Sequence, residues 1–473
     1  MRNVHLVSGT NTITAYAIDS FSQVSTTAVA TVFYSIYSKL TVQIRDWPEP
    51  NRIDLTAGTV TPNLNGQLLE VGRNYTMTAA ALGIHRFIGW AYSPALNVPP
   101  FETNATLTFM MTPNLKLIAR FESPYYHMNG PWSGLFSEPT PDSRSAGFIS
   151  FTLPYTNGAP NNGSYSGRIL LDGTQYKFSY PAAIFDTSGH SHLVVPRTGK
   201  STMTIDMDMD VVTYSGTVTG TVTTPEWTAS LLVHRGWTNV GNAEFRRYTM
   251  AFPPVSGPTP SPNGWGVAAT TNGAGGIVHF VGFAADGAQI YAPVTYVSEN
   301  LEYPMYGQLY GSSVAGYQGS IWGWLTFSKN QPGVTGTLYW WRPAGVTNAG
   351  YTGGFSNVFQ VIGSPYTNFP SGTPEFGWTG AATATFDDGS SLSVTATASV
   401  ANTDKVTFTI PNTNLVALAV TRLNGLINGT FLQPFVHKRI DPPFRGVVLQ
   451  NTHTNLGNFY TSTNAGAFTF KPN

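Results

Sequence analysis

Residues 145–197 read SAGFISFTLPYTNGAPNNGSYSGRILLDGTQYKFSYPAAIFDTSGHSHLVVPR, and this pattern constrains the chain more than any other. Apolar and polar side chains alternate over runs of five to eight residues, and each run stops at Asn-Gly, Asp-Gly or Ser-Gly. Alternation turns one face of a strand toward a core, and turn residues that tolerate positive φ reverse the chain tightly. The expected product is an antiparallel meander. Similar punctuation returns near residues 272–292 and 424–463, and no segment longer than about ten residues carries a helical period. The fold class read from this is all-β: two small β spacer units followed by antiparallel meander barrels or sandwiches, architectures that leave few exposed strand edges.

Composition agrees. Charged residues make up 10% of the 473, against about 25% in an average soluble protein, while apolar residues at 41% are enough to fill cores. Basic and acidic residues balance at 24 each and no Lys/Arg run occurs, which argues against nucleic acid and anionic membranes as partners. The absence of cysteine removes disulfides, thiolate zinc sites and thiol catalysis. No apolar run reaches the length of a membrane span. The first residues, MRNVHLVSGTNTITAYAID, lack the regions of a signal peptide and read as a strand already inside a fold, so Met1 is expected to be an internal start of a longer polypeptide.

The expected units are residues 1–37, 38–122, 123–243, 244–350 and 351–473. The first holds two alternating runs, NTITAYAID at 11–19 and STTAVATVF at 25–33, joined by a polar turn. It resembles the last two strands of the immunoglobulin-like domains of bacterial surface proteins. The second carries GTVTP at 58–62, FIGW at 87–90, TLTFMMT at 106–112 and LKLIARF at 115–121. It resembles a divergent InlB-type B-repeat, which implies a small extracellular β spacer; Trp90 is expected to plug its core. The three meander units resemble C-terminal modules of large secreted bacterial proteins, which implies a secreted or cell-surface location. Residues 253–262 and 342–376 read as irregular.

Candidate chemistry is sparse. In MTIDMDMD, residues 203–210, a period of two sends Met203, Ile205, Met207 and Met209 inward and Asp206, Asp208 and Asp210 outward. Those three carboxylates are the candidate metal ligands, Ca²⁺ being the cation that would suit them; no other cofactor is expected. A solvated strand face is the plainer reading. Gly189-His-Ser-His-Leu193 is similar to a nucleophile elbow but lacks the last glycine and a following helix. Its His190 and His192 share a face, as a metal pair or a turn tip with two exposed rings. Ser312 or Ser313 with His279 or His234 would be a hydrolase only if the fold joined them. No nucleotide-binding glycine signature occurs in a strand-to-helix context.

Aromatic residues give the strongest functional hint. Trp265, Trp322, Trp324, Tyr339, Trp340 and Trp341 gather in one unit, where flat rings beside Asn, Thr and Gln would stack on sugars or pack between sheets. The expectation is therefore a structural or adhesive protein of the cell surface that binds glycan or another surface polymer weakly. Two other classes stay open. One is a secreted hydrolase of polysaccharides or esters using Asp206, Asp208, Asp286 or Glu302, or a Ser/His pair. The other is a self-assembling filament or layer component, with the N-terminal hairpin completing a neighbour's sheet.

Overall fold

The computed structural model describes residues 4–7, 9–46, 53, 55–92, 101–140, 142–154, 162–238, 247–255, 261–312, 316–328, 333–346, 351–433, 441–461 and 465–473. Among them every extended element is a strand, and the only helical turns are two short 3-10 segments, Pro124–Tyr126 and Ala274–Gly276. The protein is all-β, with small sheets followed by antiparallel barrel-like sheets. The chain divides into two compact units. One is Met1–His127 with Tyr155–Gly163 and Asp186–Ser188; the other is Met128–Pro154, Ser164–Phe185 and Gly189–Asn473.

In the first unit, Gly9–Ala15 and Ala28–Tyr34 pair as a two-stranded sheet. Every residue of Ala28–Tyr34 is exposed, Val29 and Phe33 included, so this hairpin stands without a covering layer. The rest of the unit is better filled. Lys116–Glu122 lies between Thr41–Asp46, which it pairs in parallel, and Arg86–Tyr92. Trp90 is fully buried among Leu40, Met77, Leu107 and Phe121, and its indole N–H donates to the Ala105 carbonyl at 3.2 Å. Truncating so large a core ring costs about 3–5 kcal/mol.

The second unit begins with a nearly closed barrel whose sheet has eight described strands. Alternation explains its wall: Met203, Ile205 and Met207 point in beside Val218, Val222, Leu193 and Leu231, all buried. Where the wall crowds, side chains vanish. A Cβ on Gly134 would lie 2.0 Å from the Leu232 carbonyl oxygen. The closure is the informative feature. Gly130–Ser137 pairs with Thr228–Arg235, the first strand of the meander with the last. The two free edges, Thr174–Phe178 and His190–Val195, are thereby consecutive in sequence and meet at a seam.

A second barrel repeats this scheme. Gly380–Asp387 pairs with Ala465–Pro472, and its edges, Val406–Phe408 and Ala417–Thr421, are again consecutive strands. A cluster of Phe386, Phe431, Phe444, Phe459 and Phe468 fills it.

Between the barrels in sequence, two sheets face each other across a core of Met250, Val278, Met305, Ile321, Leu325 and Leu338. One sheet runs from Gln289–Ile290 through Ile277–Phe283, Gly266–Asn272 and Arg247–Phe252 to Ile362–Tyr366; the other holds Glu302–Leu309, Gly319–Phe327, Val334–Arg342 and Phe355–Gln360. Strands Phe355–Gln360 and Ile362–Tyr366 correct the reading of residues 342–376 as irregular. Their alternation is weak, and they are strands because Val334–Arg342 and Arg247–Phe252 offer open edges to pair with.

Candidate functional site

Four hairpin tips converge at one end of the first barrel. The connection after Gly130–Ser137 brings Glu138, Asp142 and Arg144; the tip between Ser166–Leu171 and Thr174–Phe178 brings Asp172. The connection after His190–Val195 brings Arg197 and Lys200, and that between Thr217–Thr223 and Thr228–Arg235 brings Glu226 and Trp227. Together they line a cleft of about 540 Å³. The second tip is the Asp-Gly turn seen in the sequence: Asp172 and Gly173 have φ of 48° and 68°, the mirror-image turn that suits a two-residue hairpin.

The polar side chains of the cleft are held before any ligand arrives. Arg144 donates to Asp142 through Nη2 at 2.8 Å and Nε at 3.2 Å. Lys200 Nζ lies 2.5 Å from Asp172 Oδ2. The Arg197 guanidinium donates to the Ser201 carbonyl at 2.7 Å and to Ser201 Oγ at 3.0 Å, and Ser201 Oγ donates to Glu226 Oε2 at 2.7 Å. The half-buried Trp227 ring stacks on buried Phe136, with centroids 6.4 Å apart and planes 13° from parallel. The hydrogen bond from Arg144 holds the Asp142 carboxyl below its ordinary range, and that from Ser201 does the same for Glu226. Both are therefore anionic acceptors at neutral pH.

An aromatic face beside fixed donors and anionic acceptors is the chemistry that recognises a sugar: C–H groups over the ring, hydroxyls shared among the charges. Glycoside hydrolysis needs one carboxyl kept protonated as the acid, hence a raised pKa. Asp142 and Glu226 are shifted the other way.

The structure distributes the sequence candidates over several places. Asp206 and Asp208 sit on the outer face of the first barrel, directly opposite His192 and His190. His192 Nδ1 is 2.6 Å from Asp206 Oδ1, and His190 Nδ1 is 2.9 Å from Asp208 Oδ1. Two motifs singled out separately thus form one cross-strand ladder. Asp210 departs from the expected row: the strand ends at Met209, and Asp210 accepts hydrogen bonds from the N–H groups of Val212, Thr213 and Ser215 and from the Thr213 hydroxyl. It builds a turn. Among the described residues no three His, Asp or Glu side chains converge as a metal site.

The aromatic set lies mostly between layers. Trp322 and Trp340 are 2% and 5% exposed. Trp322 stacks on Tyr339 and, with Trp324 and Trp341, packs against Leu135, Phe148 and Leu170 of the first barrel. Trp340 takes the opposite face, in the sandwich core, and half-buried Trp265 joins Val267, Leu426 and Val447 beside the second barrel. Opposite faces for Trp340 and Trp341 were legible from their adjacency; that both faces are covered was not. Of the carboxylates, Asp286 is fully buried beside Arg342, and Glu302 lies 3.3 Å from His234 Nε2. His279 is exposed on Ile277–Phe283, Ser312 forms an isolated antiparallel bridge with Gly316, and Ser313 lies outside the described residues. Trp227 and Glu226 went unmarked in the sequence, although a Pro-Glu-Trp between two Thr-rich runs does signal a hairpin tip.

The fold and the cleft define an all-β, multi-sheet protein with two nearly closed eight-strand antiparallel barrels. No family model matches the chain, and no curated protein or solved structure matches it at a significant level.

Proposed function

We propose that this protein is a structural and adhesive component of the secreted or cell-surface space, and that it binds polysaccharide weakly through the hairpin-tip cleft of its first barrel. The observation that carries the reading is the Trp227 face set among Asp142–Arg144, Lys200–Asp172 and Arg197–Ser201–Glu226. The unit around Trp90 is read as a B-repeat-like spacer and the exposed hairpin before it as part of an immunoglobulin-like module. A charge-poor chain without cysteine suits that setting. Adhesion is preferred over hydrolysis because the cleft supplies hydrogen-bonded acceptors beside a stacking ring.

A glycan array of the whole chain tests this, followed by titration with the best neutral oligosaccharide. Trp227→Ala should weaken binding about ten-fold, the loss of one stacking contact. Binding indifferent to Trp227, or turnover of chromogenic glycosides that a single Asp or Glu substitution abolishes, would overturn the proposal.

Self-assembly draws separately on the hairpin, where Val29 and Phe33 are 62% and 67% exposed on a strand whose second edge pairs with no described strand. A second copy adding a strand there would cover them. Sedimentation should then show concentration-dependent oligomers that Phe33→Asp removes; a monomer at all concentrations would exclude it.

A further inference from the structure

The outer face of the first barrel changes character along its strands. Leu135, Phe148 and Leu170 pack against Tyr306 and Trp322. One row further along the same face the residues are Ser150, Arg168 and Lys177, successive partners across three adjacent strands. Arg168 and Lys177 are directly opposite each other, a placement that puts two cations within about 5 Å at Cβ and destabilises a sheet. Such a pair is ordinarily relieved by a carboxylate.

The two cations line a groove of about 680 Å³, and among the described residues that line it none is supplied: there is no Asp or Glu. Its other walls mix apolar groups, Pro131 and Val294 among them, with neutral hydrogen-bonding ones: Gln175, which accepts from Arg168 Nη1 at 3.4 Å, Ser150, Ser166 and Tyr296. The groove's volume suits a few sugar rings, its lining includes hydroxyl and amide partners, and the formal charge of its described lining sits in one cross-strand pair. No described carboxylate of the lining neutralises that charge, and the groove is open for an external anion.

We propose that this groove is a second binding site, distinct from the hairpin-tip cleft, and that it takes an anionic polysaccharide whose carboxylate or sulfate groups bridge Arg168 and Lys177. Arg168 provides a planar fork and Lys177 a mobile point charge, so an anion between them gains two charge-assisted hydrogen bonds and removes their mutual repulsion. Tyr296 and the serines then select for a sugar backbone over a free ion. Because the contact is charge-led and exposed, salt weakens it.

Affinity electrophoresis of the whole chain through gels containing polygalacturonate, dextran sulfate or neutral dextran tests the proposal. Retardation by at least one polyanion beyond that by dextran, which reports on the cleft, is expected, the excess declining as ionic strength rises; the stronger polyanion identifies carboxylate or sulfate as the natural group. The Arg168→Gln/Lys177→Gln pair should weaken that binding about ten-fold or more, with an unchanged melting temperature or a higher one. Lys177→Gln alone, at an exposed position, gives a several-fold loss and serves if the double variant misfolds. Trp227→Ala should leave polyanion binding intact, which separates this site from the cleft. No retardation by either polyanion beyond that by dextran, or an excess insensitive to Lys177→Gln, would overturn it.

Discussion

The hydroxyls of Tyr165 and Ser191 lie 2.7 Å apart inside the first barrel and tie one side of its seam to the other. Tyr165 precedes Ser166–Leu171, next to one free edge of the sheet, while Ser191 belongs to His190–Val195, the opposite edge. No ladder of backbone bonds joins the two edge strands to each other, so this buried pair, with Phe151, Phe178 and Phe185 around the Tyr165 ring, helps to hold the wall shut. Burial pushes the Tyr165 hydroxyl pKa up to about 12.

Tyr165→Phe should therefore lower unfolding free energy by about 1–2 kcal/mol, since it leaves Ser191 buried without its partner. The double variant Tyr165→Phe/Ser191→Ala should recover part of that loss. Chemical denaturation checks both, and additive losses would show that the pair does not interact.

The sandwich core holds a fully buried ion pair. Arg342 donates to Asp286, which also accepts from the Tyr310 hydroxyl at 2.8 Å and the Ala288 N–H at 3.1 Å. Burial pushes the Asp286 carboxyl up, opposed by these donors. Asp286→Ala should cost about 3–5 kcal/mol by stranding the guanidinium, whereas Asp286→Leu/Arg342→Met should regain most of it. A double variant no more stable than Asp286→Ala would refute this balance.

His234 gives the protein a pH dependence of predictable sign. It is nearly covered, with Trp324 edge-on at 5.0 Å, and burial lowers its pKa while nearby Glu302 works to raise it. The unfolded chain then binds more protons than the folded one just below the ordinary histidine value of about 6.5. Stability from this residue is complete above that value and declines as pH falls through it. The melting temperature of His234→Gln, compared with the parent between neutral and mildly acidic pH, should lose that component; parallel curves would contradict it.

Asp210 acts in the acid range. Its hydrogen bonds with Thr213, Val212 and Ser215 hold its pKa well below the ordinary carboxylate value, the Thr213 hydroxyl contributing most. Its contribution is present above the unfolded value of about 3.9 and fades as pH falls below it. Asp210→Asn should lower the melting temperature at neutral pH and approach the parent under strong acid, and chelator treatment should not reproduce its effect. A calcium-dependent shift lost in the variant would show instead that Asp210 is a metal ligand.

Strand, turn and face were legible where side chains alternate cleanly. Met203, Ile205 and Met207 turned inward as their spacing required, and the Asp172-Gly173 reversal appeared where the dipeptide stood. Trp90 likewise became the plug of its small core. Legibility failed where a residue's role depends on what covers it. Trp322 reads the same from sequence whether it faces solvent or Leu135 and Phe148, and His192 reads the same with or without Asp206 across from it.

By itself, then, the sequence determined the all-β class, the spacing of the reversals and which side chains leave each strand on the same side, because these follow from backbone geometry and from residues near in the chain. Only the tertiary structure decided that Gly130–Ser137 would pair with Thr228–Arg235, and Gly380–Asp387 with Ala465–Pro472. The first of these closures brings three other hairpin tips to Trp227, and tertiary packing sets residues 294–296 beside Arg168 and Lys177 to make a groove. The physical reason is that a free strand edge and an uncovered apolar face are satisfied by whichever partner the whole chain can deliver, and no local pattern names that partner.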